Sequence, residues 1–340
     1  MTIEELLSSH GTNASNLSKK MDMPYTTVST AFSKSVDKWS VKLLRATAEA
    51  LELDTDELLN VLKQESSLSP FIKWVGGKRQ LLSTIDDYLP ETFNRYYEPF
   101  IGGGAVFLHL RPASATINDF NFELVNTWRV VKEQPDELLS LLKIHKDNNS
   151  KDYYLDLRLA DRDGRLESMS SVERAARFIY MNKTGFNGLY RVNSKGQNNV
   201  PYGKYKNPTI VSPMIKSVSE YMNNNDVEIN NLDYKYSVAE AEEGDFVYFD
   251  PPYIPVSLTS SFTSYTSDGF GLAQQKELRD TALDLTERGV KVMLSNSDVE
   301  LISEIYSDPV FTINHIQATR MINSNASKRG KVGEVIITNY

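Results

Sequence analysis

Phe246-Val247-Tyr248-Phe249, followed by Asp250-Pro251-Pro252-Tyr253, is the stretch on which the reading of the fold turns. Four consecutive apolar residues without polar alternation suit a strand buried on both faces, as in parallel sheets. The two prolines that follow fix φ and remove backbone donors, so the strand gives way to a stiff turn that begins at Asp250. Working outward, Tyr96-Tyr97-Glu98, Ala115-Thr116-Ile117 and Val290-Lys291-Val292-Met293-Leu294 are further compact runs of the same kind. Leu278 to Arg288 has the spacing of an amphipathic helix and is stopped by Gly289. Phe311-Thr312-Ile313 and Glu334-Val335-Ile336-Ile337 are candidates for a final hairpin. Short strands alternating with helices predict an α/β domain over 67–340. From about 121 to 211 the rhythm breaks into helices and a polar loop rich in Asn, Gly and Tyr, which reads as an insertion in the sheet.

Residues 1–66 read as a separate all-α module. Ser15 to Met21 forms a short helix, Asp22-Met23 stands where a turn is needed, and Pro24 suits the start of a helix through Tyr25, Val28 and Phe32. Val41, Leu44, Ala48 and Leu51 keep helical spacing, and Asp54 or Thr55 caps a last helix through Leu58, Leu59 and Leu62. This module resembles the phage-repressor-like helix-turn-helix family, including the ALELDTDELL ending. Two features depart from it: Asp22 replaces the usual turn glycine, and the module carries seven basic and ten acidic residues. Only Lys34 and Lys38 follow the expected recognition helix, whose exposed residues would be Tyr25, Thr26, Thr27, Ser29 and Thr30. DNA binding and a protein-contact or dimerisation role both remain open for it. Gln64 to Ser69 is a short Ser-rich linker.

The 340 residues contain no cysteine, which excludes disulfides, thiolate zinc sites and cysteine nucleophiles. No apolar run reaches membrane-spanning length, and the opening MTIEELLSS is acidic where a signal peptide is basic, so a cytoplasmic location is the default. The net charge is −8, but its distribution is uneven. From Arg174 to Ser219 there are eight basic residues and no acid, and from Pro309 to Gly333 four more, again with no acid. These stretches suggest surfaces kept clear for a polyanion.

Glu98-Pro99-Phe100-Ile101-Gly102-Gly103-Gly104 links a strand to the helical run Ala105 to Leu110. Glycines at such a bend let backbone approach a cofactor closely, although the loop lacks the GxGxxG spacing and there is no Walker Lys. Asp119 then ends the run Ala115-Thr116-Ile117-Asn118, where ribose hydroxyls are commonly gripped. The Asp250 turn points to chemistry at an exocyclic amine. Such a nitrogen is a poor nucleophile because its lone pair is delocalised into the ring. A carboxylate (Asp250) and a backbone carbonyl (Pro251) that accept its two hydrogens draw it towards sp³ geometry. The prolines preorganise both acceptors, with Pro252 completing the stiff turn, and Tyr253 offers a flat face for an extruded base.

From about Pro70 to Tyr340 the chain resembles the Dam-like, alpha-class DNA adenine-N6 methyltransferases. The likeness rests on Phe71-Ile72-Lys73-Trp74-Val75-Gly76-Gly77-Lys78, the loop 98–104, Asp119, Asn182 to Arg191, Leu232-Asp233-Tyr234 and the Asp250 turn; cofactor motif first, recognition insertion next and Asp-Pro-Pro-Tyr last is that family's alpha-class order. It implies a Rossmann-like methyltransferase sheet with an inserted helical target-recognition domain at about 121–211. It implies S-adenosyl-L-methionine as cofactor, held by Trp74, Lys78, Glu98, Pro99, Phe100, Gly102, Gly104, Asp119, Leu232, Tyr234 and Asp250, with no metal required. The histidines 10, 109, 145 and 315 are scattered and fit no metal or acid–base pattern.

In the segment Asn182-Lys183-Thr184-Gly185-Phe186-Asn187-Gly188-Leu189-Tyr190-Arg191, the resemblance implies that Phe186 wedges into the space left by a flipped adenine. It gives Arg191 a guanine to read, with Asn187 and Leu189 alongside, Lys73 at the first guanine, and Lys204 and Tyr205 in a neighbouring phosphate-contacting segment. The plainer alternative makes Phe186 and Leu189 core residues and Arg191 a surface charge. Phe262-Thr263-Ser264-Tyr265 resembles the element that helps close the target-base pocket, and Ser295-Asn296 and Ser324-Asn325 match segments without an assigned role. The implied substrate is double-stranded DNA, with GATC as the expected site and a restriction endonuclease as a partner compatible with it. Related turns headed by Asn or Ser act on RNA, protein or cytosine, and the leading Asp with the 174–219 segment favours adenine in DNA. The competing reading is a DNA-binding transcriptional regulator with linked or vestigial methyltransferase activity.

Overall fold

The computed structural model describes residues 3–32, 36, 39–63, 68–254, 270–319 and 331–340. The chain divides into two compact units, Met1–Leu68 and Ser69–Tyr340.

The first unit holds α1 (Ile3–Ser9), α2 (Ala14–Lys20), α3 (Tyr25–Phe32), α4 (Val41–Leu51) and α5 (Thr55–Lys63). Asn13 and Ser40 start α2 and α4 by accepting the backbone N–H three residues on, which satisfies donors that the first turn leaves orphaned. Leu6, Leu7, Leu17, Ala48, Leu51, Leu58 and Leu62 form the core. Between α2 and α3, Asp22 has φ 50°, a left-handed conformation that Asp tolerates better than most residues. Asp22 thus takes the backbone conformation for which a glycine is usual. Of the expected face of α4, Ala48 and Leu51 are buried and Leu44 packs against the core, joined by Leu43 and Thr47, whereas Val41 is 65% exposed in the first turn.

In the second unit, β1 (Tyr96–Glu98), β2 (Ser114–Asn118), β3 (Asp226–Asn230), β4 (Phe246–Phe249), β5 (Lys291–Ser297), β6 (Thr312–Thr319) and β7 (Lys331–Thr338) form one sheet in the order β3-β2-β1-β4-β5-β7-β6. The first five are mutually parallel, and β7 runs antiparallel between β5 and β6. Strand β4 is buried at all four positions, as its unbroken apolar run requires. The chain moves outward from β1 to β3 and then returns to lay β4 against the free side of β1. The strand order therefore reverses between β1 and β4, and a crevice opens at their carboxyl ends.

Helix α6 (Leu82–Asp86) precedes β1, and α7 (Ala105–Leu110), α14 (Tyr234–Ser237), α15 (Leu272–Glu287) and α16 (Glu300–Ile305) belong to the crossovers. Helix α15 starts six residues before the expected Leu278, where the Gly271 N–H donates to Gln274. Between β2 and β3 come α8 (Phe122–Glu133), α9 (Pro135–Asp147), α10 (Lys151–Leu159), α11 (Arg165–Ser168), α12 (Ser171–Thr184), the polar loop and α13 (Met214–Asn224). Helix α12 opens on a Ser170/Glu173 capping box and packs on α8 and α9.

One expectation needs correcting here. The acid-free stretch 174–219 is not a single surface cleared for a polyanion. Arg177 is 2% exposed and bonds Asp161, Arg174 bonds Glu123, and Lys216 lies 2.8 Å from Asp136. Each acid lies outside the stretch, so counting along the chain misses the pairing. Arg191, Lys195, Lys204 and Lys206 stay exposed.

Candidate active site

Glu98 ends β1 and turns its carboxylate inward. Its Oε2 accepts the Tyr96 hydroxyl at 2.7 Å and the Phe107 N–H of α7 at 2.9 Å. Burial pushes its pKa up to about 8 from the ordinary 4.5, against the pull of those two donors. The chain then bends through Gly102 (φ 47°) and Gly104 (φ 68°). A Cβ on Gly102 would stand 2.5 Å from the Trp74 ring, and one on Gly104 would stand 2.6 Å from that of Trp128. Trp128 also donates from its indole N–H to the Gly102 carbonyl at 3.1 Å. Both glycines are thus demanded by dihedral angle and by space.

Asn118, at the end of β2, gathers three separate segments. Its Nδ2 donates to the carbonyls of Pro99 (3.0 Å) and Leu232 (3.1 Å), and its Oδ1 accepts the Leu232 N–H at 2.8 Å. Asp119 beside it accepts the N–H of Gly102 at 3.1 Å and that of Asn121 at 2.9 Å. Burial raises the Asp119 pKa while these donors oppose the shift. Tyr234 stacks on Phe100 with centroids 5.3 Å apart. The glycine loop, Asp119 and Leu232–Tyr234 therefore share one corner of the crevice.

Asp250 opens the other side at the end of β4. The Lys78 ammonium lies 2.6 Å from Oδ1 and 2.7 Å from Oδ2, and also donates to the Gly76 carbonyl at 2.8 Å. Lys78 is only 4% exposed, and its Nζ stands 4.7 Å from the centre of the Tyr253 ring. Burial pushes the Asp250 carboxyl up and Lys78 holds it back. The Pro252 carbonyl accepts Gln275 Nε2 at 2.8 Å, Gln275 is held in turn by Asn296, and Asn296 also accepts the Ile254 N–H at 3.3 Å. Among the described residues the Pro251 carbonyl accepts no hydrogen bond. The Tyr253 hydroxyl donates to Glu334 Oε2 at 3.0 Å.

A third group lies at the start of the inserted loop. Asn182 accepts the Lys73 N–H at 3.0 Å and donates to the carbonyls of Lys73 (2.8 Å) and Gly188 (3.0 Å). A Cβ on Gly188 would be 2.5 Å from the Lys73 stem, and the Lys73 ammonium stands 5.7 Å from the centre of the Tyr205 ring. Lys73, the turn 186–188 and Tyr205 are thus neighbours. Phe186 is 48% exposed, Asn187 has φ 57° and Leu189 is half-buried. Exposed Arg191 bonds Asn199 at 2.8 Å where the loop folds back on itself, and Lys204 is exposed.

Asn118, Gln275 and Glu334 escape a reading of local motifs. For Gln275 a signal exists: with Leu278, Ala282 and Leu285 it lies on the buried face of α15, so a polar residue there needs a partner. Lys34, Lys38, residues 64–67, Phe262–Tyr265, Ser324-Asn325 and the middle of the second acid-free stretch, residues 320–330, lie outside the described residues. Among those described, no cluster of His, Asp or Glu is placed to hold a metal, and no helix is long and apolar enough to cross a membrane.

Fold and site together define an α/β methyltransferase of the Rossmann-like kind. Residues 74–322 match the D12 class N6 adenine-specific DNA methyltransferases, and the chain belongs to that family. It is 56% identical over 284 residues to the type II methyltransferase M1.LlaDCHI of Lactococcus lactis subsp. cremoris, covering 83% of this chain and 99% of that protein. Against the type II methyltransferase M.MjaIII of Methanocaldococcus jannaschii the identity is 39% over 292 residues, covering 80% and 99%. Against the DNA adenine methylase of Escherichia coli K12 it is 34% over 269 residues, covering 78% and 93%.

Proposed function

We propose that this enzyme transfers a methyl group from S-adenosyl-L-methionine to N6 of an adenine flipped out of duplex DNA, with GATC as its site. The observation that carries the reading is the Asp250–Tyr253 turn at the crevice, whose Pro252 carbonyl is taken by Gln275 while its Pro251 carbonyl accepts no hydrogen bond among the described residues.

The donor set fits the cofactor. Asp119 is a carboxylate for ribose hydroxyls, Phe100, Leu232 and Tyr234 offer apolar surface for an adenine ring, and the loop of Glu98, Pro99, Gly102 and Gly104 brings backbone close. Trp74 and Lys78 belong to the methionine end. When bound, S-adenosylmethionine supplies a methyl group activated on a sulfonium. The protein's own part is placement and polarisation. Asp250 and the Pro251 carbonyl accept the two N6 hydrogens, and Tyr253 stacks on the base. Lys78 keeps the carboxylate from rotating yet leaves it lone pairs to share. Once N6 carries its methyl group it has one hydrogen too many, and the Asp250 carboxylate beside it is the acceptor.

Phe186 fills the space left in the helix, Arg191 and Lys73 read guanines, Asn187 and Leu189 line the same face, and Lys204 and Tyr205 serve the phosphates. GATC rests on the likeness of the 182–191 loop. The two relatives named type II methyltransferases favour a restriction–modification setting with an endonuclease reading the same site, and a DNA substrate favours the cytoplasm. A second reading concerns residues 1–66. The helix pair around Asp22, with its φ of 50°, supports a helix-turn-helix that binds the enzyme's own promoter or an operator. A regulator with vestigial activity is the alternative.

The test is base-by-base mapping of N6-methyladenine on genomic DNA treated with the purified protein, with Asp250→Ala as control. Modification confined to GATC adenines, abolished by the substitution while cofactor binding persists, is the expected result. Another methylated motif overturns the recognition residues, and transfer only to RNA or protein overturns the substrate.

A further inference from the structure

We infer that Glu334, on strand β7, is a positioning residue that holds the Tyr253 ring in the plane on which the target base stacks. The inference rests on the function proposed above. Glu334 sits in the middle of the antiparallel part of the sheet, opposite Ser297 of β5 on one side and Ile316 of β6 on the other. Its backbone is therefore fixed from both edges. The preceding Gly333 tightens this further. Its carbonyl accepts the Asp298 N–H at 3.0 Å, and a Cβ there would come within 2.8 Å of Asp298.

From that fixed point the Glu334 carboxylate accepts the Tyr253 hydroxyl at 3.0 Å. The backbone on either side of Tyr253 is held separately, by Gln275 at the Pro252 carbonyl and by Asn296 at the Ile254 N–H. Those bonds set where the chain goes, and the orientation of the ring is set by what its side chain meets. The hydroxyl is the far end of the ring and its one polar atom, so a bond there sets the tilt. Burial pushes the Tyr253 pKa well up, which keeps the hydroxyl protonated and a donor.

The tilt matters beyond stacking. The Lys78 ammonium stands over the same ring, 4.7 Å from its centre, and spans both oxygens of Asp250. Ring, ammonium and catalytic carboxylate are thus mutual neighbours, so a change in the ring's tilt is felt at both charges. A charge-assisted hydrogen bond is strong enough to hold one such orientation. A rim carboxylate that served only solubility would have no reason to meet this hydroxyl.

The experiment is a double-substitution cycle on the full-length enzyme, with kcat, KM for duplex and cofactor Kd measured for each variant. Glu334→Ala should lower kcat by about 10- to 100-fold, the scale of a lost hydrogen bond to a charged group, with cofactor Kd unchanged. Tyr253→Phe should lose at least as much, and the double variant no more than Tyr253→Phe alone, because the bond to Glu334 is already absent from it. Glu334→Gln should recover to within about 3-fold, since the amide oxygen still accepts. Wild-type kcat in Glu334→Ala, multiplied losses in the double variant, or a glutamine no better than alanine would each overturn the inference. Should the alanine variant not fold, Tyr253→Phe must still lose activity and Glu334→Gln must not. A wild-type enzyme that transfers nothing to DNA in the same assay sinks the proposed function instead, which keeps the two failures apart.

Discussion

Glu98 and Asp250 end adjacent strands, and their surroundings treat the two carboxyls differently. Asp250 is spanned by the Lys78 ammonium, whereas Glu98 takes its hydrogen bonds from a tyrosine and a backbone N–H. With its pKa raised from 4.5 to about 8, Glu98 is held neutral in the fold and ionises freely when unfolded. Its contribution to stability is therefore full below the unfolded pKa and is lost as pH rises through the folded one. Melting temperature without cofactor should fall from about pH 4.5 to about pH 8 for the wild type, and Glu98→Gln should flatten that fall. An unchanged slope would show that Glu98 titrates normally. At the same scale, Arg191→Ala should cost about 1–3 kcal/mol and relax discrimination at one guanine. Competition between the cognate duplex and singly substituted ones measures it, and uniform weakening would reassign Arg191 to a phosphate.

Elements show where local pattern suffices and where it does not. Strand β4 and its Pro-Pro turn follow from an apolar run and fixed φ angles, and the glycine bend from the need for positive φ. Trp128 behind Gly104 is invisible to that reasoning, because it arrives on α8 from 24 residues along the chain. Gly104→Ala would strain the left-handed bend and drive a methyl group into a fully buried indole. About 2–3 kcal/mol should be lost, read as a lower urea midpoint at unchanged slope. A midpoint equal to the wild type's would mean that the bend yields easily. The exposed Val41 of α4 and the early start of α15 depart from the periodic pattern for a related reason. Caps decide where a helix begins, and they are single hydrogen bonds rather than periodic signals.

For the whole molecule, residues 1–66 and the methyltransferase unit should separate in function. The family match begins at residue 74, beyond the end of the N-terminal unit at Leu68. Deleting 1–66 should leave methylation within about 3-fold of the full chain, since a unit with its own core folds alone, and should abolish specific binding to the promoter. Methylation assays and gel shifts on the truncated protein check both halves. Promoter binding that survives undiminished would remove the proposed regulatory role.

By itself the sequence determined what depends on neighbours along the chain: the β4 strand, the Asp250–Tyr253 turn, the glycine loop, the two-part composition and the resemblance that rests on them. These are legible because proline, glycine and apolar spacing act through local torsions and local burial. Only the tertiary structure decided which residues serve that turn. Lys78 reaches Asp250 across 172 positions, Glu334 meets Tyr253 across 81 and Asn118 joins Leu232 across 114. It also decided which cations stay free, since the acids that neutralise Arg174 and Arg177 come from other helices and loops. Such pairings follow from strand order and helix packing, which bring distant backbone together. No window of sequence contains both partners, so chemistry legible in one residue waited on the fold to supply its other half.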